Sequence, residues 1–267
     1  MAVEPQVWID GHPATFDDMR QMAAVNYGVV TSFAYADGGV RGLDLHMERL
    51  AVSCRELFSC ELEKEPLLNA LKHSLENMDQ AWVRITLADR MLSVRAPERP
   101  SSVATAVWIA PPATMLDDGM RLRSIVHQRE LAHLKHLGMT GVIHARRGAR
   151  MAGFDDALLV DGSGGILEGT LWNVGFIDAS TVIWPRGDIL DGVTRRLIAR
   201  GLEKRGITQR TQRVTLEDLE RFQGAFLCNA ATPAASISSI DGHRFTGNPA
   251  MMQAIRAAWQ DQPVQLL

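Results

Sequence analysis

Ile189-Leu190-Asp191-Gly192-Val193-Thr194-Arg195 runs from an apolar pair through an acidic residue and a glycine straight into a helical pattern that lasts to Lys204, with Gly206 as its stop. A glycine turn opening onto a helix leaves the first backbone N–H groups ahead of the intrahelical ladder, at the positive end of the helix dipole. Such a place is a natural cradle for a phosphate. Gly192, Val193 and Thr194 are therefore candidate anion-binding residues. The same letters taken alone also describe an ordinary turn and cap, so the flanking sequence has to decide between the two.

Upstream, Ala157–Val160, the turn Asp161-Gly162-Ser163-Gly164-Gly165 and the run Ile166–Phe176 read as paired strands, with Thr181–Trp184 as a third. Glu168 lies inside that run. An acidic side chain in a core strand is costly unless it has a partner, so the position predicts a buried, paired carboxylate. Further upstream, Met120–Ile125 reads as a strand and Thr140 as the cap of a helix reaching about Met151, stopped by Gly153. Lys135 then stands just ahead of that helix.

Ala110-Pro111-Pro112-Ala113-Thr114 cannot continue a regular element, because each proline lacks a donor and constrains its predecessor. It divides the chain into domains 1–113 and 114–267. In the first, Trp8-Ile9 and His12-Pro13 form a hairpin, and Val29–Tyr35 turns at Asp37-Gly38-Gly39 into Val40. Ala81–Leu87 and Val103–Ala110 are further strands. Leu50, Cys54, Leu57 and Phe58, after Asp44 as N-cap, give one amphipathic helix with Arg49 beside its apolar stripe; Leu67, Leu68, Leu71 and Leu75 give another. Strand alternation sets Trp82 and Arg84 on one face.

Composition narrows the function. Of 267 residues, 46% are hydrophobic and 22% charged, which supports a packed core and excludes a disordered chain. Lys plus Arg number 28 against 31 Asp plus Glu, a net charge of −3, too balanced for a nucleic-acid binder. Cys54, Cys60 and Cys228 are odd in number and lack metal-ligand spacing, which predicts reduced thiols and no disulfide framework. His133 and His136 have no acidic or thiol third ligand beside them, so no metal is expected. Met-Ala-Val-Glu-Pro-Gln carries no leader pattern, and no stretch is apolar enough to span a bilayer. The expectation is a cytoplasmic protein without membrane partners.

In order along the chain stand His46-Met47-Glu48-Arg49-Leu50, Leu134-Lys135-His136-Leu137, Gly153-Phe154-Asp155-Asp156-Ala157-Leu158-Leu159-Val160-Asp161, Leu167-Glu168-Gly169-Thr170-Leu171-Trp172-Asn173 and Ile189–Arg195. Together these resemble the class IV aminotransferase family, from about Trp8 to Pro233. The resemblance implies a mixed α/β, two-domain fold of type IV: a smaller N-terminal α/β domain, a larger C-terminal domain with a β-barrel-like sheet, and pyridoxal 5′-phosphate in the cleft. It implies that Lys135 forms the Schiff base with the cofactor aldehyde and moves protons between substrate carbons, tasks that suit a partly desolvated amine. Glu168 is implied as the partner of the pyridine nitrogen, where a carboxylate favours the protonated ring. Arg49, with Gly192, Val193 and Thr194, is implied as the phosphate site, and Asn229 as the residue that completes it. Arg84 would meet a substrate carboxylate, with Val30, Thr31 and Trp172 shaping the pocket. Members of the family are commonly homodimers acting on amino acids and 2-oxo acids.

The chain departs from the family pattern in two places. Asn26-Tyr27-Gly28-Val29-Val30-Thr31-Ser32 replaces the common Gly-Asp-Gly tripeptide and its acidic neighbour, and Met139 stands where a tyrosine usually follows the lysine. Lys135-His136-Leu137, Thr31-Ser32 and Cys228-Asn229-Ala230 lean toward the 4-amino-4-deoxychorismate lyase branch, whereas Trp82-Val83-Arg84 leans toward the branched-chain aminotransferases. The first expectation is amino transfer. A lyase that releases pyruvate, with Thr31 assisting, and a catalytically idle cofactor-binding protein are the alternatives.

Overall fold

The computed structural model describes residues 4–24 and 26–267. Met1–Val3, part of the N-terminal stretch read above for a leader, lie outside the described residues, as does Val25. The strands in chain order are β1 (Gln6–Ile9), β2 (His12–Pro13), β3 (Gly28–Ala36), β4 (Gly39–Arg41), β5 (Gln80–Asp89), β6 (Val103–Ala110), β7 (Met120–Val126), β8 (Asp156–Val160), β9 (Ile166–Gly169), β10 (Asn173–Asp178), β11 (Thr181–Pro185), β12 (Gln209–Gln212), β13 (Gly224–Cys228), β14 (Ala235–Ile240), β15 (His243–Arg244) and β16 (Val264–Leu266). The helices are α1 (Phe16–Ala24), α2 (Leu43–Phe58), α3 (Lys64–Ser74), α4 (Thr140–Met151), α5 (Val193–Lys204) and α6 (Pro249–Gln260). Among the described residues no helix is long and apolar enough to cross a membrane.

By contact the chain forms two compact units. The first holds Met1–Ala113 with Leu134–Gly138 and Val264–Leu267; the second holds Thr114–His133 and Met139–Pro263. Two short pieces from beyond residue 114 therefore belong with the first unit, and the backbone shows why. Val30 N–H donates to Lys135 O at 2.8 Å and Leu137 N–H to Gly28 O at 2.9 Å, so the lysine segment is stitched to β3. A Cβ at Gly28 would sit 2.5 Å from Leu87 O and 2.8 Å from Leu137 Cδ1, so only glycine lets the three chains lie this close. The last residues join through the antiparallel pairing of β16 with β4.

The first unit's sheet runs β16-β4-β3-β5-β6-β1-β2. Apolar residues alternate along β3 and β5, and Val29, Phe33, Val83, Ile85 and Leu87 pack against Leu50, Cys54, Phe58, Leu67 and Leu71 of α2 and α3. Met19 and Met22 of α1 pack on Ile9, Ala104 and Ala106. The cap of α2 differs from the expectation. Gly42, at φ 72°, holds the cap position, and Asp44 falls in the first turn, where its charge suits the dipole and its N–H donates to Gln265 Oε1 at 3.0 Å.

The second unit's sheet runs β12-β11-β10-β13-β14-β7-β8-β9, with β15 on β14. It curls, so that β9 at one end of this order also lies against β10 and β11 near the other, and the turn between β9 and β10 is closed by Gly169 N–H donating to Trp172 O at 2.8 Å. Phe176, Val174, Leu158, Leu227 and Ile237 fill the curl. Outside it α5 and α6 pack through Ile198, Leu202 and Ile255, close enough that a Cβ at Gly201 would lie 2.0 Å from Ala258 O. Thr140 begins α4 rather than capping it; Met139 is the cap residue.

The expected single strand Ile166–Phe176 is two strands, β9 and β10, broken at Thr170–Trp172. Buried Asp156 causes the break. Thr170 Oγ1 donates to Asp156 Oδ1 at 2.8 Å and Trp172 Nε1 to Asp156 Oδ2 at 3.1 Å, drawing both side chains the same way. The indole then covers Gly169, where a Cβ would lie 2.1 Å from the ring.

Candidate active site

In the first unit the packing of α2 against β3 gathers three polar side chains, Thr31, His46 and Arg49. Arg49 Nη2 donates to Thr31 Oγ1, and the Thr31 hydroxyl, its oxygen thus engaged, stands 2.7 Å from Nδ1 of His46. His46 is fully enclosed, with its ring 4.9 Å from Phe33. Burial holds its pKa well below the ordinary imidazole range, reinforced by the positive charges of Arg49 and then Lys135. Lys135 thus lies within electrostatic reach of this cluster. The chain has four lysines, and Lys64, Lys72 and Lys204 are exposed; Lys135 is the partly buried one.

Thr31 is 0% exposed. Its hydroxyl is spent on Arg49 and His46, so it orients those two side chains rather than facing a substrate. Val30 is buried on the opposite face of β3 and its N–H holds the Lys135 carbonyl. Across that same face Ser32 pairs with Arg84, and Arg84 with Trp108. Arg84 reaches the surface between bulky neighbours, and their desolvation lowers its pKa. Sequence reasoning missed His46 as a participant, although it stands one helical turn before Arg49.

In the second unit Glu168 is buried and clamped from two sides. Arg129 Nε donates to Oε1 at 2.9 Å, and Leu190 N–H donates to Oε2 at 3.2 Å. Arg129 is itself braced on Ala132 O. This is the paired carboxylate that the sequence predicted; its partner Arg129, 39 residues earlier, carried no local signal.

The turn before α5 is braced by Asn173, whose Nδ2 donates to Leu190 O at 2.8 Å. A Cβ at Gly192 would sit 2.1 Å from Asn173 Oδ1, so a side chain there would displace the amide that braces the turn. The first bond of the helix is Arg196 N–H to Gly192 O at 3.0 Å. The N–H groups of Val193, Thr194 and Arg195 stand ahead of it, with Thr194 buried beside them. Asn229 shapes its own turn: Oδ1 accepts from Ala231 N–H at 3.0 Å and Thr232 N–H at 2.7 Å, and Nδ2 donates to Leu171 O at 3.2 Å. Trp172, expected at a pocket wall, is 4% exposed and its indole N–H donates to Asp156. Asp156, held also by Arg146 at 3.5 Å, and Asn173 are structural supports that sequence reasoning missed.

Each unit by itself carries groups whose chemistry suits pyridoxal 5′-phosphate: a partly buried amine in the first, and in the second a braced carboxylate and a glycine turn with helix-start donors suited to a phosphate. The model of amino-transferase class IV matches residues 28–240, and the chain therefore belongs to the class IV aminotransferase family. A relative named "Probable branched-chain-amino-acid aminotransferase" from Rickettsia felis is 28% identical over 218 residues, covering 77% of this chain and 74% of that protein. A Methanocaldococcus jannaschii relative, also named for branched-chain amino acids, is 26% identical over 227 residues, 80% of this chain and 79% of its own. The branched-chain aminotransferase of Thermoproteus uzoniensis, solved with norvaline, has the same fold: TM-score 0.83 at 20% identity, over 95% of this chain and 93% of that one. The chain is an enzyme, a transaminase, with pyridoxal 5′-phosphate as its cofactor.

Proposed function

We propose that the enzyme moves an amino group between a branched-chain amino acid and a 2-oxo acid, with Lys135 and Glu168 as catalytic residues. The observation that carries the proposal is the braced carboxylate of Glu168. Pyridoxal phosphate, when bound, supplies an aldehyde that captures the amine and a ring that accepts electrons from the substrate α-carbon. Lys135 Nζ is the amine that would hold the aldehyde, and it would carry the proton to and from the substrate α-carbon. Glu168 keeps a proton on the pyridine nitrogen, and Arg129 with Leu190 N–H stops the carboxylate rotating away. Gly192, Val193 and Thr194 bind the phosphate through backbone donors, with Asn229 setting the adjoining turn and Arg49 adding a planar cation. Arg84 holds the substrate carboxylate, and Val30 borders the substrate. A homodimer and a cytoplasmic location belong to the same proposal, supported by family membership and by three unbridged cysteines.

Amino transfer is favoured over the lyase reaction by Thr31, because the hydroxyl on which the lyase reading leaned is buried and bound to His46 and Arg49. The test offers leucine, isoleucine and valine with 2-oxoglutarate, and 4-amino-4-deoxychorismate separately. Conversion of the branched-chain amino acids that stops without 2-oxoglutarate is expected. Pyruvate released without any acceptor would overturn it. Replacing Arg84 with glutamine removes a charge-assisted pair with the substrate, so KM for the amino acid rises roughly 10–100-fold while kcat changes little. Steady-state kinetics across amino acid concentrations read that split.

A further inference from the structure

The first unit holds a feature that amino transfer does not use. Cys54 Sγ, on the buried side of α2, lies 3.3 Å from Cys60 Sγ, which follows the helix and is partly accessible. The approach is built into the chain reversal at the end of α2. Ser59 takes a left-handed conformation at φ 54° and its N–H returns to Arg55 O. Arg55 also pairs with Glu61 at 3.1 Å, which ties down the chain on the far side of Cys60. The third cysteine, Cys228, is enclosed in the second unit.

We propose that Cys54 and Cys60 form a modification site, a dithiol that closes to an intramolecular disulfide by exchange with a low-molecular-weight disulfide such as oxidised glutathione. Cys60 is the entry point because it is the reachable sulfur. Burial, and then the hydrogen bond to Cys60, push the Cys54 thiol up to about 12, so it is a poor first nucleophile. In the first step the Cys60 thiolate attacks one glutathione sulfur, a mixed disulfide forms and one glutathione thiolate leaves. In the second, Cys54 loses its proton to water or buffer and attacks Cys60 Sγ, and the second glutathione leaves. The protein gives up two electrons and two protons, and oxidised glutathione becomes two reduced molecules. The sulfurs have only to close from 3.3 Å to about 2 Å, within reach of the turn at Ser59–Cys60. Both steps need a thiolate, so closure should speed up as the pH rises.

The experiment incubates the holoenzyme with oxidised glutathione, blocks remaining thiols after unfolding, and maps the peptides by mass. Expected is a loss of about 2 Da, a Cys54–Cys60 cross-link, Cys228 still alkylated, and full reversal by dithiothreitol. Cys54→Ala, which lacks the resolving thiol, should instead retain one glutathione on Cys60. Cys60→Ser should take up none and form no bridge. Three alkylated thiols after saturating oxidant, a persistent glutathione on Cys60 of the unaltered protein, or a bridge involving Cys228 would each overturn the proposal.

Discussion

Lys135→Ala is expected to lower kcat/KM for amino transfer by at least about 10⁴-fold, because it removes both the covalent anchor and the proton carrier at once. The variant should fold, since Lys135 is only partly buried and the backbone bonds that hold its segment to β3, Val30 N–H to Lys135 O and Leu137 N–H to Gly28 O, do not depend on the side chain. Its melting temperature should therefore stay near that of the parent, which separates loss of chemistry from loss of structure. Lys135→Arg keeps a cation beside His46 but offers no nucleophilic amine, and it should be equally inactive. An arginine variant with substantial activity would mean that charge, not the amine, is what position 135 supplies.

Glu168 should show a double effect. Glu168→Ala leaves the Arg129 guanidinium buried without its carboxylate, and breaking one side of such a pair costs about 3–5 kcal/mol of stability. Glu168→Gln keeps the shape and one acceptor for Leu190 N–H, so it should be better folded yet still lose about 10³-fold in kcat, since a neutral amide cannot hold a charged pyridine nitrogen. Arg129→Met combined with Glu168→Gln removes both charges, and its stability should exceed that of Glu168→Ala. Thermal or urea unfolding of these variants together with Arg129→Met alone gives the coupling, and steady-state rates give the catalytic share. Equal stability of Glu168→Ala and the parent would show that the Arg129 pair does not support the fold.

Much of this was legible in the sequence, for reasons that differ from place to place. β3, β5 and β6 announce themselves through β-rich runs bounded by glycine, aspartate or proline, and α5 through its glycine entry and exit. Glu168 was readable as a paired carboxylate because charge inside a core strand demands a partner. Which partner was not readable, because Arg129, just after β7, is brought to Glu168 by the side-by-side order of β7, β8 and β9 rather than by spacing. The break between β9 and β10 was hidden for a similar reason: Asp156, fourteen residues before Thr170, pulls Thr170 and Trp172 out of the strand. The hydrogen-bond partners of Thr31 and Trp172 were likewise not readable, since Arg49 and His46 for the one and Asp156 for the other lie on different elements. Asn248 and Pro249 did carry a start signal for α6, a side-chain cap on Met251 N–H followed by proline at the first turn, and this helix could have been found.

The central claim is that position 135 alone carries the cofactor, and trapping tests it most directly. Holoenzyme reduced with borohydride, digested and sequenced by mass should carry a phosphopyridoxyl group on Lys135 and on none of Lys64, Lys72 and Lys204. A label on any of those three, with Lys135 unmodified, would contradict the account.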